Sequence, residues 1–276
     1  MKNLMLCIDV DATIVDIDGN FYPDAKWICE KLDELNWNVV LCSARPLKSL
    51  ITLASSLSVI KWVSGLGGTV ISHRSSRNND LDKWEICYHA KYLNKNAVNQ
   101  IIDWTNQNDI NDLWFYDTEN WYVTRKSDRV NRESLITGLK PIICSIDNIS
   151  KDKILKIVLP HIPIELFPSL NNCADNVNLS ASYSTKTQVE INDSIDIDKG
   201  VKKLCNLLFN DEKSVVMALG DGANDYGMLL YSDIPLTFED GNFQLLKISK
   251  YVLNKNRQIA YHEILHLVSN DIKKQY

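Results

Sequence analysis

Along the first part of this chain the apolar residues come in short blocks, each closed by a polar or glycine-rich stretch. Leu4-Met5-Leu6-Cys7-Ile8, Asn38–Cys42, Val59–Val63 and, far downstream, Ser214–Leu219 are too short for ordinary helices. Their unbroken apolar character predicts strands buried on both faces. Between them the period changes. Pro23 opens a stretch to Asn36 that places Ala25, Ile28, Leu32 and Leu35 on one helical face, and Leu47, Leu50, Ile51, Ala54 and Leu57 repeat the spacing. Val201, Leu204, Cys205 and Leu208 form a third such face after Asp198-Lys199-Gly200. Ile234–Phe238 and Tyr251–Leu253 read as short closing strands around a helix between Gly241 and Ser249, and Leu265, Leu267 and Val268 as a packed terminal helix. Strands alternating with helices predict an α/β fold, a parallel sheet with helices on both faces.

The middle of the chain follows another rule. After the polar run His73 to Asp80, Trp84, Ile86 and Tyr88 alternate with polar residues, and Ala97, Val98, Ile101, Ile102 and Thr105 suit a helix. Leu113–Tyr116 and Trp121–Thr124 flank a short acidic turn as hairpin strands do, and Lys153–Leu159 and Asn176–Tyr183 add two more strands. Alternating strands predict an antiparallel sheet with one wet face. The expected organisation is a core of residues 1–78 and 187–276 and an inserted α+β domain of residues 79–186.

Composition narrows the function classes. The 276 residues are 45% hydrophobic and 24% charged, ordinary for a globular protein, with room for one large or two moderate domains. A formal net charge of -5 argues against nucleic acid or an anionic membrane as the main partner. Seven cysteines, with no Cys-x-x-Cys pair, read as reduced small hydrophobes, and no apolar run is long enough to span a bilayer. The expectation is a cytoplasmic protein, a monomer or homodimer.

The chemistry gathers at strand ends, where open α/β sheets collect their ligands. The first block runs into Asp9-Val10-Asp11-Ala12-Thr13, and two carboxylates one residue apart repel unless a cation, a shared proton or a bend in the backbone relieves them. For oxygen-only ligands the cation is usually magnesium. Asp16-Ile17-Asp18-Gly19 repeats the spacing but reads as a hairpin tip. Asn38–Cys42 ends in Ser43-Ala44-Arg45-Pro46, a hydroxyl and a guanidinium just before a helix, which is an oxyanion-binding arrangement. Ser64-Gly65-Leu66-Gly67-Gly68-Thr69 fails as a dinucleotide fingerprint because Val70 stands where its third glycine belongs; it reads as a tight turn at the sheet edge. Lys199 in a first helical turn opposes the helix dipole and suits an anionic partner. Ser214–Leu219 runs into Gly220-Asp221-Gly222-Ala223-Asn224-Asp225, a second acidic strand end, so that Asp9 and Asp221 on neighbouring strands are placed to share one magnesium. His262-Glu263-Ile264-Leu265-His266 has the zinc-hydrolase pattern but lacks a downstream third ligand.

Asp9-Val10-Asp11-Ala12-Thr13, Ser43-Ala44-Arg45-Pro46, Glu190 with Lys199-Gly200, and Gly220 to Asp225 together resemble the motifs of the haloacid dehalogenase-like phosphohydrolases, in particular the Cof-like branch, which carries a large α/β cap between core motifs. The resemblance implies a Rossmann-like core and a Mg2+-dependent phosphatase acting on a small phosphorylated metabolite such as a sugar phosphate. It implies Asp9 as nucleophile and Asp11 as acid and base; Asp9, the Asp11 backbone carbonyl, Asp221 and Asp225 around the metal; and Ser43, Arg45, Lys199 and Asn224 toward phosphate or substrate. A phosphomutase of the same branch, a catalytically silent binding protein and a zinc hydrolase are the alternatives. Ala12 stands where this branch usually has Gly, and Gly67-Gly68 where it usually has Asn-Gly.

Overall fold

The computed structural model describes residues 3–75, 83–184, 186–193, 198, 200–210 and 212–269. The chain divides into two compact units, Met1–Tyr88 with Ile197–Tyr276, and His89–Asp196.

The first half of the first unit forms strands β1 (Asn3–Ile8), β2 (Asn38–Cys42), β3 (Trp62–Gly65), β4 (Val70–Arg74) and β5 (Trp84–His89), with helices α1 (Ala25–Glu34) and α2 (Leu47–Ser55) between the early ones; the strand expected over Val59–Val63 begins only at Trp62 and continues to Gly65. Its second half adds α6 (Val201–Phe209), β12 (Ser214–Leu219), α7 (Tyr226–Tyr231), β13 (Ile234–Phe238), α8 (Phe243–Ile248), β14 (Tyr251–Leu253) and α9 (Arg257–Leu267). The eight strands form one sheet in the order β14-β13-β12-β1-β2-β3-β4-β5. Pairing is parallel from β14 through β3, and β4 joins β3 antiparallel. Successive strands step outward in one direction from β1 and in the other from β12. The boundary between β1 and β12 is therefore the topological switch point, where such sheets bind their ligands.

Alternation along β1 sends Met5 and Cys7 to one face, where they pack with Val201 and Leu204 of α6, Met228 and Leu229 of α7 and Leu245 of α8. Leu6 and Ile8, 1% exposed each, point to the opposite face. Each aliphatic side chain buried this fully contributes about 1.5–3 kcal/mol, enough for the sheet to tolerate like charges crowded at its strand ends. All seven cysteines are free thiols. Burial pushes the Cys29 thiol up to about 12, and the Cys7 thiol is raised by its hydrogen bond with Cys42 and by burial. Both act as packing groups rather than nucleophiles.

The second unit contains α3 (Lys95–Gln107), β6 (Trp114–Tyr116), β7 (Trp121–Val123), α4 (Asp128–Thr137), β8 (Ile142–Ile143), β9 (Lys156–Leu159), α5 (Phe167–Asp175), β10 (Leu179–Tyr183) and β11 (Val189–Asp193). Its six-stranded sheet has the order β10-β11-β9-β6-β7-β8, antiparallel except for the β7–β8 pair. Phe115, Ile157, Leu159, Val189 and Ile191 face α3 and α5 in a common core.

Both expected domain boundaries move. Trp84, Ile86 and Tyr88 do lie on a strand, but β5 is the edge strand of the first sheet. Ser75 N donates to Lys83 O at 2.7 Å, Ser72 Oγ donates to Glu85 O at 2.8 Å, and Cys87 and Tyr88 pack on the first core. An edge strand shows the same half-wet alternation as an antiparallel sheet, which is why the pattern misassigned it. At the other end, Glu190 belongs to β11 of the second sheet and forms an ion pair with Lys156, whose side chain is 3% exposed. The turn expected at the sheet edge, Ser64 to Thr69, lies inside it, because β4 and β5 continue beyond. Among the described residues no helix is long and apolar enough to cross a membrane.

Candidate active site

The register of β1 against β12 pairs Cys7 with Ala218 and Ile8 with Leu219, and Asp9 N extends it by donating to Leu219 O at 2.9 Å. Asp9 and the Gly220–Asp225 loop therefore leave the sheet side by side. On the other flank Ile8 pairs with Leu41, which brings Ser43 to the same edge.

Oxygens from the carboxylates of Asp9, Asp221 and Asp225 all lie within 4.8 Å of one another; among the described residues this is the group of acidic, His or Cys side chains arranged to hold a metal ion. Asp9 is 4% exposed and Asp225 is fully buried. Three carboxylates so close, two of them buried, demand a cation or protons. An all-oxygen donor set of this kind suits a hard divalent ion such as magnesium.

The loop after β12 supports itself. Asp225 Oδ2 accepts from Asp221 N at 2.9 Å and from Gly222 N at 2.8 Å, turning the chain back on its own carboxylate. A Cβ at position 220 would stand 2.5 Å from Asp225 Cγ, so only glycine lets the loop close. Thr237 Oγ1 on β13 donates to Gly220 O at 2.8 Å, and Asn242 N donates to Asp221 O at 2.8 Å. Asn224 is exposed on a 3-10 turn, its Oδ1 lying over the Gly222 backbone.

The loop after β1 is built differently. Val10 O accepts from Thr13, Ile14 and Val15 N, and Ala12 takes the left-handed conformation with φ 54°. Thr13, fully buried, reaches across to donate from Oγ1 to Asp221 Oδ1 at 2.9 Å. Of the three ways to relieve the Asp9–Asp11 repulsion, the structure shows the bend in the backbone. The chain leaves extended geometry after Ile8, Asp9 enters the acidic cluster, and the half-exposed Asp11 carboxylate lies in an ion pair with Arg45. Arg45 donates from Nε at 3.2 and 3.0 Å and from Nη2 at 2.6 Å. Arg45 is thus assigned by the structure to a carboxylate rather than to an open surface.

Ser43 is 1% exposed, and its Oγ accepts from Arg45 N at 3.2 Å. The glycine-rich turn behind it is its scaffold, with Ser43 N bound to Ser64 O, Gly67 N to Ser43 O and Leu66 N to Arg45 O. Gly200 comes against the same turn. A Cβ there would sit 2.9 Å from Ser64 Oγ, and Gly200 is at φ 77°. Asp198 caps the start of α6 by accepting from Gly200 N and Lys202 N, both at 3.0 Å. Lys199, the phosphate contact expected between them, lies outside the described residues.

Residues that no local pattern singled out complete the site. Arg257 donates from Nε to Ala12 O at 2.8 Å, and Tyr261 OH donates to Thr13 O at 2.7 Å. Burial drives the Tyr261 hydroxyl's pKa far upward, which keeps it a donor at every working pH. Arg257 lies 245 residues from the carbonyl it holds, a separation across which sequence spacing carries no signal. His262 and His266 are exposed on α9. His262 Nε2 meets Asp24 Oδ2 at 3.2 Å and its ring lies tilted against Trp27, while Glu263 Oε2 accepts from Asn254 N at 2.9 Å. No third ligand joins them among the described residues. Trp121 on β7 is 3% exposed.

Comparison with known proteins bears on the fold and the family. No curated protein sequence matches the chain significantly. Among solved structures, a haloacid dehalogenase-like hydrolase from Bacteroides thetaiotaomicron superposes with a TM-score of 0.79 at 15% identity, covering 97% of this chain and 100% of that one. A sugar phosphatase of HAD subclass IIB gives 0.81 at 14% identity over 96% and 99%, and a Thermotoga maritima protein gives 0.77 at 17% over 98% and 98%. At these identities the likeness is one of fold. The family described as haloacid dehalogenase-like hydrolase matches residues 6–262, nearly the whole chain, and the protein therefore belongs to the haloacid dehalogenase-like hydrolases.

Proposed function

We propose that this protein is a phosphatase that hydrolyses a small phosphorylated metabolite, a sugar phosphate in class, through an aspartyl phosphate on Asp9. The observation that carries the reading is the convergence of Asp9, Asp221 and Asp225 beside Asp11 and Arg45 at the switch point of the sheet. The likeness to a subclass IIB sugar phosphatase supports the substrate class.

In the first half-reaction an Asp9 carboxylate oxygen attacks phosphorus, the bond from phosphorus to the ester oxygen breaks, and the departing oxygen takes the proton of the Asp11 carboxyl. In the second, water attacks the phosphorus of the acyl phosphate and gives its proton to Asp11, and orthophosphate leaves as the Asp9 carboxylate is regenerated. Ser43, Asn224 and Lys199 hold the phosphoryl oxygens. Magnesium would be held by Asp9, the Asp11 carbonyl, Asp221 and Asp225. Bound there, it would offset negative charge on the phosphoryl group. Asp11 leaves its ion pair with Arg45 to carry the proton, and Thr13 keeps Asp221 oriented.

The test is phosphate release by the purified protein from a panel of sugar phosphates and an aryl phosphate with Mg2+. Activity should vanish with chelator and in Asp9→Asn. Turnover that persists in Asp9→Asn, or no turnover across the panel, rejects the proposal; loss in His262→Ala with Asp9→Asn still active would point to zinc.

A further inference from the structure

The carbonyls of Ala12 and Thr13 face away from the hydrogen-bonding pattern of their own loop. Among the described residues no backbone N–H reaches either one, and the groups that do come from α9. Arg257 and Tyr261 are four residues apart, so they project from one face of that helix. Neither is a loose surface group. Arg257 is 7% exposed and stands with its guanidinium 3.8 Å over the Phe238 ring. Its Nη1 is spent on Asp240 Oδ1 at 2.6 Å and Lys255 O at 2.8 Å, leaving Nε aimed at Ala12 O. Tyr261 is fully buried. The turn they grip is strained. Ala12 sits at φ 54°, a conformation that glycine adopts freely and alanine does not. On either side of it are Asp11, bound to Arg45, and Thr13, bound to Asp221.

We infer that Arg257 and Tyr261 are positioning residues that clamp the strained Asp11–Ala12–Thr13 turn, so that α9 fixes both the Asp11 carboxyl and, through Thr13, the orientation of Asp221. The inference rests on the proposed phosphatase reading for its kinetic consequence, but not for its energetic one. With a glycine at position 12 the turn needs no outside grip. With alanine it does, and α9 supplies the grip.

The experiment is a double-mutant cycle in the full chain between Ala12→Gly and Arg257→Met, with Tyr261→Phe as the milder variant that removes one hydroxyl and keeps the ring. Three quantities are read: Tm, Mg2+ affinity measured by calorimetry with the metal alone, and kcat and KM on the best phosphate ester of the panel. The clamp predicts that Arg257→Met and Tyr261→Phe lower kcat by about 10- to 100-fold with KM changed much less, and weaken Mg2+ by roughly tenfold. Ala12→Gly in the Arg257→Met background should restore part of all three. A fall in Tm with kcat and Mg2+ affinity unchanged makes Arg257 a staple for the last helix and overturns the inference, as does additive loss with no rescue by Ala12→Gly. If Arg257→Met does not fold, Tyr261→Phe decides by the same readouts. If the wild-type protein hydrolyses no phosphate ester, the phosphatase reading fails, while the Tm and Mg2+ cycles still judge the clamp.

Discussion

The two acidic loops at the centre of this protein do related jobs by opposite means. The loop after β12 is closed by its own members: Asp225 accepts from two N–H groups of the same turn, and Gly220 makes room for the Asp225 carboxyl. The loop after β1 is closed by others, with Arg257 and Tyr261 of α9 on its carbonyls, Arg45 on Asp11 and Asp221 on Thr13. A self-closing loop needs a particular sequence and little else. A loop closed from outside tolerates an unsuitable residue, here Ala12 at positive φ, provided the rest of the fold holds it.

Exchanging methyl groups between the loops tests this contrast most severely. Gly220→Ala places a carbon 2.5 Å from Asp225 Cγ. It should cost about 3 kcal/mol, the upper part of the range for overpacking, and should remove most phosphatase activity and Mg2+ binding, as measured by urea titration, calorimetry and phosphate release. Thr13→Val cuts the hydrogen bond that joins the two loops while preserving shape. Because the acceptor is a carboxylate, the loss should be about 1.5–3 kcal/mol, with weaker Mg2+ binding; an unchanged variant would mean that the loops are independent. Ala12→Gly runs in the opposite sense. Relief of the left-handed strain, about 1–2 kcal/mol, outweighs the entropy cost of glycine, about 0.5–1 kcal/mol, so Tm should rise by roughly 1–3 °C. A fall in Tm would show that the turn is not strained.

The smallest effects belong to the exposed contacts behind α9. His262→Ala should change stability by less than about 0.5 kcal/mol and leave phosphate release intact. The Asp24 carboxyl is held below its usual range by hydrogen bonds from Gln258 and His262. A depressed folded pKa contributes stability that is complete above the unfolded value and disappears as pH falls through the folded one. Asp24→Asn should therefore flatten the stability curve slightly below about pH 4 and leave its slope unchanged near neutrality, as followed by urea titration across pH.

Legibility followed the same division. β2, β12 and β13 begin and end where the apolar blocks do, because a strand buried on both faces has few polar residues to blur its limits. Edge and antiparallel strands were harder. β5 carried the alternation of the second sheet but pairs in the first, and β11 was read with the first unit though Val189 and Ile191 are buried in the second. At the site, Asp9, Asp221 and Asp225 could be read from acidic strand ends and do converge. Asp11 could not be placed the same way, since the bend after Ile8 turns its carboxylate to Arg45. Thr13 lay within a recognised stretch with no role attached, and Arg257 and Tyr261 had no local signal at all.

By itself the sequence determined which strands are fully buried, that acidic groups crowd two of their ends, and that the second loop is rich in glycine, because burial, charge and backbone freedom are properties of short segments. The tertiary structure decided which strand ends are neighbours, which carboxylate turns away, and which distant donors satisfy the carbonyls of a strained turn. Those depend on hydrogen bonds between groups as far apart as Ala12 and Arg257, brought together only when the sheet and its last helix are assembled.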